Sequence, residues 1–248
     1  MSESNKRSHS TTKRNTVAVV AIILVCILAI GGTIAYLTSH SQLTNTFTVG
    51  QISPIDPEKP GPDPENPGPD GEKPIPEEDK NDKTKLNGNL YEPSWIKDSK
   101  LLPSATIAKD PYVGVGPGSE ASVVYVYVNN TMTNNDHIYF TIDTANWEPV
   151  VGQATPVSGD NYTSGLFKYK YDLDASKETK NVWTATPLFK NVEVSKDAKA
   201  EDFQKNDAPD EVGAIEVNAF LHQKYNADGQ SIADQTILDA VKAQFGLN

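Results

Sequence analysis

The stretch ASVVYVYVN, Ala121–Asn129, decides the fold class of this chain. In an extended strand successive side chains point to opposite faces, so alternate positions share a face. Three valines occupy the even-numbered positions of this stretch, while a valine and two tyrosines occupy the odd-numbered positions from 123 to 127. Both faces are therefore apolar, which is typical of a central strand covered on both sides.

Other short runs rich in β-forming residues occur along the chain, separated by clusters of Pro, Gly, Asn and Asp. They are HIYFTI at 137–142, LFKYKYDL at 166–173, PLFKNVEV at 187–194 and GAIEVNAFL at 213–221. Short strands at this spacing favour an all-β fold, an antiparallel β-sandwich. Residues 86–248 are long enough to form one such domain with its own core.

One helix is expected near the end of the chain, over Ile232–Phe245. We expect Ser231 together with Asp234 to cap its first turn and Gly246 to end its last turn. Its apolar stripe consists of Ile237, Leu238, Val241 and Phe245. An amphipathic stripe of this kind predicts packing against the sheet.

The charge balance narrows the choice of partners. The chain of 248 residues holds 33 acidic and 22 basic side chains, a formal net charge of −11. Nucleic-acid binding requires a cationic face to neutralise phosphates, so an acidic chain argues against a nucleic-acid partner.

The amino-terminal residues 1–35 have the pattern of a secretory signal peptide. A basic stretch precedes a long apolar run, and small residues follow, with Thr33 and Ala35 at the positions that a signal peptidase reads. Cleavage would then occur between Ala35 and Tyr36. The alternative is an uncleaved transmembrane anchor, because Val17–Leu37 is long enough to span a bilayer. In both cases the basic end stays inside and the rest of the chain lies outside the membrane.

Two segments separate the signal peptide from the domain. Residues 36–52 contain a short strand pattern in which Phe47 and Val49 alternate with polar residues. A single strand must pair with a sheet, either that of its own chain or that of a neighbour. Residues 53–85 are rich in proline, glycine and acids, with few apolar groups, and this composition predicts a disordered or polyproline-like linker.

Several of these segments together resemble the TasA/camelysin family of exported proteins of Gram-positive bacteria. The resemblance rests on GGTIAYLTSHSQLTNTFTVGQI at 31–52, YEPSW at 91–95 and LLPSATIAKDPYV at 101–113. TPLFKNVEV at 186–194 and AIEVNAFLHQ at 214–223 add to it. The proline-rich stretch between the first two segments departs from the family pattern.

The resemblance implies a jelly-roll-like sandwich, export through a SipW-type signal peptidase, and a structural role in a biofilm matrix or in surface fibres. It also motivates a hypothesis of self-association, in which the strand around Phe47 and Val49 inserts into the sheet of another subunit. Pairing within the same chain is the alternative. A different class of function also stays open, a monomeric surface adhesin held by an uncleaved anchor, with residues 53–85 as its stalk.

Residues that would carry enzymatic chemistry are missing from the sequence. The four histidines are isolated from one another and no H-E-x-x-H pair is present, so we expect no metal site and no cofactor. The only cysteine, Cys26, lies inside the apolar run of the signal peptide, which excludes thiol catalysis in the exported part. We therefore expect a protein that is not an enzyme.

Overall fold

The computed structural model describes residues 38–40, 52–68, 71–96, 99–133, 135–206 and 208–248. The strands are, in chain order, β1 Thr38–His40, β2 Gly61–Pro62, β3 Glu72–Lys73, β4 Leu86–Asn87, β5 Leu90–Tyr91, β6 Thr106–Ala108, β7 Tyr112–Val115, β8 Ser122–Asn130, β9 Ile138–Thr141, β10 Trp147–Ser158, β11 Asn161–Tyr169, β12 Val182–Trp183, β13 Asn191–Val194, β14 Gln204–Lys205, β15 Ala208–Val212 and β16 Ile215–Gln223. Helices span Glu77–Lys80 and Asp234–Phe245, and 3-10 turns span Asn135–His137 and Ala200–Phe203.

The fold is an all-β antiparallel sandwich with a carboxyl-terminal helix, as the sequence predicts. The main sheet has the strand order β1-β16-β8-β11-β9-β13-β6, and β10 pairs with β11. A smaller sheet has the order β12-β7-β5-β4. The two sheets share one core, because Val113 and Val115 of the smaller sheet pack in the same cluster as Val124 and Val126 of the main sheet.

Strand β8 has the two apolar faces that its sequence predicts. Its even-numbered valines lie in the core between the sheets. Val123 and Tyr125 face the other way and pack against Ile237 and Val241 of the carboxyl-terminal helix. The main sheet is therefore covered by the second sheet on one face and by this helix on the other.

The ends of the carboxyl-terminal helix match the sequence prediction only in part. Gly246 ends the helix in the left-handed conformation, with φ +65°, which glycine adopts at low cost. The predicted cap of Ser231 with Asp234 is wrong: the residue before the helix is Ala233, and no side chain caps the first turn. Burial of Ile237 and Val241 against the sheet stabilises this helix without a cap.

The sequence misses the long strand β10, whose prolines and glycine conceal its strand pattern. Trp147 begins this strand and is fully buried. The run at 166–173 is a strand only up to Tyr169.

The prediction of a disordered linker over residues 53–85 is corrected by the structure, which describes most of this segment as packed on the domain. Ile55, Ile75 and Leu86 are buried in a cluster with Tyr91, and Trp183 packs against it. These few apolar groups, spaced along the segment, supply the burial that its overall composition hides.

Polar contacts hold the same segment to the loop before β12. The side chain of Asn181 accepts a hydrogen bond from the N–H of Asp56 and donates one to the carbonyl of that residue, both at 2.9 Å. The indole N–H of Trp183 donates to the carbonyl of Pro60 at 3.2 Å. Proline removes backbone donors but keeps its carbonyls, so side chains of the domain provide the missing donors.

Candidate assembly edge

Strand β16 lies beside the short strand β1 at one end of the main sheet. It pairs with β8 along its whole length, from Ile215 to Gln223. On its other side, among the described residues, it pairs with β1 at Phe220, Leu221 and His222. An exposed strand edge presents N–H and C=O groups that another strand can bind, so this part of the molecule can accept a further strand.

The hydrogen-bond pattern shows which groups of β16 face outward. In an antiparallel pair, successive residues direct their N–H and C=O groups to alternate sides. The N–H of Thr131 donates to the carbonyl of Ala214, and the N–H of Lys224 donates to the carbonyl of Ala121, so even-numbered residues bond toward β8. The N–H and C=O groups of Ile215 and Val217 therefore point to the open side, where no strand of the described residues pairs with them.

Strand β10 pairs with β11, and it differs from β16 in features that hinder the binding of a further strand. It contains Pro149 and Pro156, which lack the N–H that a neighbouring strand would bind. Its register with β11 shifts between Pro149 and Ala154, around Gly152 with φ +75°. Prolines and bulges are the usual protection of a strand edge, and the β16 edge has no proline between Ile215 and Gln223.

A groove of about 340 Å³ lies beside the open part of β16. It is lined by Ile215 and Val217 of β16 with their neighbours, and by Leu90, Glu92 and Trp95. Ile215 and Val217 are half-buried and pack against the core between the sheets. Two of the apolar side chains of the groove thus contact the core, whereas most of its other lining residues are polar or charged.

A buried ion pair lines this groove. Nζ of Lys109 lies 2.7 Å from Oε2 of Glu92, with only 11% and 4% of the two side chains exposed. The ammonium group also lies 4.7 Å from the ring centroid of Trp95, a cation–π contact. Burial raises the pKa of Glu92, and the charge of Lys109 opposes that rise. The other carboxylate oxygen, Oε1, is buried and has no hydrogen-bond partner among the described residues.

Two lysines that line the groove are paired with acids. Nζ of Lys85 lies 3.0 Å from Oδ1 of Asp79, and it donates to the carbonyl of Pro93 at 3.3 Å. Lys109 is paired with Glu92. The groove thus combines the apolar side chains of Leu90, Ile215 and Val217 with the charged side chains of Lys83 and Glu216.

A second buried acid lies next to Lys109 in sequence. Oδ1 of Asp110 accepts a hydrogen bond from the N–H of Ser94 at 2.8 Å. Its Oδ2 has no hydrogen-bond partner among the described residues. Burial raises the pKa of Asp110 to about 6, although the hydrogen bonds from Ser94 oppose the rise.

None of the site residues predicted from sequence is among the described residues. Thr33, Ala35 and Tyr36, predicted for signal-peptidase cleavage, and Phe47 and Val49, predicted for the assembly strand, lie outside the described residues. Glu92 and Lys109 were missed as a pair. Each is a charged residue beside apolar ones, in LYE at 90–92 and TIAK at 106–109, and this pattern could have indicated that both are buried.

The sequence predicts no metal site, and it allows a membrane-spanning segment at the amino terminus. Within the described ranges, no group of histidine, cysteine or acidic side chains has the arrangement of a metal site. His137 contacts Oδ2 of Asp202 at 2.7 Å, and His222 is buried against the carbonyl of Gln223. Over the same residues, no helix is both long enough and apolar enough to cross a bilayer.

Comparison with known proteins adds no relative: no family model, no curated protein and no solved structure matches this chain.

Proposed function

We propose that this protein is a secreted structural subunit of an extracellular matrix or of surface fibres, and that it is not an enzyme. In this proposal residues 36–52 of one copy pair with strand β16 of the next. The observation that carries the proposal is the β16 edge, which has no proline between Ile215 and Gln223, borders a groove and, among the described residues, pairs with β1 at Phe220–His222.

Pairing between copies follows from the same contacts as pairing within one chain. A terminal strand that binds its own sheet can bind an identical sheet of a neighbour, because the residues involved are the same. Such a contact joins two different surfaces of the molecule, so it repeats from copy to copy and builds a filament unless it closes into a ring. The resemblance to the TasA/camelysin family supports the same role.

Export is part of the proposal. A SipW-type signal peptidase would cut between Ala35 and Tyr36, which releases the strand segment from the membrane and leaves it at the amino terminus. Before cleavage the chain would contact the membrane only through its amino-terminal segment. The acidic net charge of −11 argues against nucleic acids as partners.

The alternative of a stalked monomeric adhesin has less support. It needs residues 53–85 as an extended spacer, whereas Asn181 and Trp183 bind this segment to the domain. A segment packed in this way spans far less than the ~3.1 Å per residue of an extended polyproline chain.

The test is size-exclusion chromatography with negative-stain electron microscopy on residues 36–248 over a range of concentrations. We expect filaments or a concentration-dependent series of oligomers. The matched variant lacks residues 36–52, and we expect it to fold but to stay monomeric. Monomers of the longer chain at every concentration, or loss of the fold in the shorter one, would count against assembly by strand donation.

A further inference from the structure

We propose that Lys109 and Glu92 react in the folded chain to form an amide bond between Nζ and Cδ, with loss of one water molecule. The ion pair described above is the starting state, present in the freshly folded chain. The bond would be a modification that the chain makes on itself. The inference goes beyond the proposed function and does not depend on assembly between copies.

The two side chains lie where a bond between them joins the two sheets. Glu92 directly follows β5 of the smaller sheet, and Lys109 directly follows β6 at one end of the main sheet. The chain has a single cysteine, so it cannot form a disulfide within itself. An amide bond at this position would supply the covalent link that disulfides give to other exported proteins.

The fold holds the reacting groups in contact. Nζ of Lys109 lies 2.7 Å from Oε2 of Glu92, and Oε2 is bonded to the carbon that the amine would attack. The N–H of Glu92 donates to the carbonyl of Lys85 at 2.8 Å. The N–H of Lys109 donates to the carbonyl of Lys190 at 3.2 Å, so the backbone is fixed on both sides of the pair. Groups held together in a reactive geometry reach effective concentrations of about 10⁵ M or more.

Burial favours the uncharged form of the pair. Glu92 is 3% and Lys109 8% exposed, and two buried charges lose most of their hydration. Burial raises the pKa of Glu92, which favours transfer of a proton from Nζ to Oε2 across their contact. The transfer leaves a neutral amine, which is a nucleophile, beside a neutral carboxylic acid.

The reaction balances without a further reactant. The lone pair of Nζ forms a bond to Cδ of Glu92, and the bond between Cδ and Oε2 breaks. Oε2 leaves as water, because it keeps the proton of the first transfer and takes a second proton from Nζ. The ion pair has no net charge and the amide has none, so no proton is gained or lost overall.

The surroundings favour the amide over the ion pair. Oε1 of Glu92 is buried and has no hydrogen-bond partner among the described residues. In the amide it becomes a neutral carbonyl oxygen, whose burial costs less than that of a carboxylate oxygen. The charge of Glu92 contributes to the raised pKa of Asp110, so its loss relieves repulsion between two buried acids. The ring centroid of Trp95 lies 4.7 Å from Nζ, and the ring limits access of the water that would reverse the reaction.

Peptide mass spectrometry tests the bond. The full chain is produced in a secreting Gram-positive host, incubated in the folded state and digested with trypsin, which cuts after lysine and arginine. Without the bond, peptides 86–97 and 101–109 separate. The amide blocks cleavage after Lys109, so peptide 86–97 stays joined to peptide 101–168, with a total mass lower by one water molecule. We expect this joined species to increase with incubation time, and fragmentation to place the link between Glu92 and Lys109.

Lys109→Arg is the matched variant, because a guanidinium group keeps the positive charge and the hydrogen bond to Glu92 but stays protonated and does not attack the carboxyl carbon. We expect this variant to fold, to yield no joined peptides, and to unfold at a lower urea concentration than the incubated wild type. Asp–Gly sequences such as Asp228–Gly229 can also lose water by forming a succinimide, but that loss lies within one peptide and joins nothing.

A second control keeps the wild type in concentrated urea during the incubation, where the fold no longer holds the two side chains together. We expect no joined peptides there. Peptides that stay separate in the folded wild type at every time would overturn the proposal and leave a permanent ion pair. Equal joining in urea would overturn the role of the fold in the reaction. Neither result bears on assembly between copies, which the chromatography of residues 36–248 tests by itself.

Discussion

Replacing Lys109 by methionine removes the positive partner of a buried carboxylate while nearly conserving the side-chain volume. Glu92 is 3% exposed, one of its oxygens already has no partner among the described residues, and the other bonds to Lys109 at 2.7 Å. The variant therefore keeps a buried acid with no compensating charge. Removing one member of a buried pair costs about 3–5 kcal/mol of unfolding free energy.

The pH dependence of this cost identifies its origin. Burial already raises the pKa of Glu92, and loss of Lys109 raises it further because the only opposing influence disappears. When the folded-state pKa lies above the unfolded value, the folded state binds more protons. The contribution of Glu92 to stability is then greatest at low pH and is lost as pH rises from the unfolded to the folded pKa. Each pH unit within that window changes stability by up to about 1.4 kcal/mol.

The assay is urea-induced unfolding at pH 5 and pH 7 for the wild type, Lys109→Met, and Lys109→Met with Glu92→Gln. We expect the single variant to be less stable than the wild type at both values, with a deficit up to about 2.7 kcal/mol larger at pH 7. The double variant has no buried charge and should recover most of the loss. A deficit independent of pH, or a double variant no more stable than the single one, would refute an uncompensated Glu92 charge as the cause.

Three further outcomes are expected. Val217→Pro removes an outward N–H of β16 and keeps an apolar side chain at this position, so the fold should survive while association of copies falls about tenfold. Asn218→Pro breaks the ladder to β8 and should unfold the domain. Size-exclusion chromatography and circular dichroism distinguish the two variants. Asn181→Ala deletes two 2.9 Å hydrogen bonds to Asp56, worth about 2 kcal/mol together, so hydrogen exchange and limited proteolysis should increase selectively over residues 55–80. The pKa of Asp110 is raised to about 6, so its ionisation should cost the wild type on the order of 3 kcal/mol of unfolding free energy as pH rises from 4 to 7. Asp110→Asn should remove this loss. The same pH dependence of the urea midpoint in the variant and the wild type would contradict this.

The sequence by itself determined the class of the fold, because strand alternation is a local property. The valines of Ala121–Asn129 fix two apolar faces whatever the neighbouring strands are, and β8 has both faces buried. The carboxyl-terminal helix was also predicted, with its apolar stripe and its end at Gly246, because both depend on residues a few positions apart. Glu92 and Lys109 were not paired by the sequence, since 17 positions separate two residues that a turn and two strands bring together.

Only the tertiary structure decided the state of residues 53–85 and the character of the β16 edge. The segment is too polar to order itself, and it packs because Asn181 and Trp183, more than a hundred positions away, supply donors for its carbonyls. The character of this edge depends on which strand lies next to β16, and no residue of β16 encodes that neighbour. Burial and strand pairing between distant segments depend on the positions of many parts of the chain, so they are defined only in the folded structure.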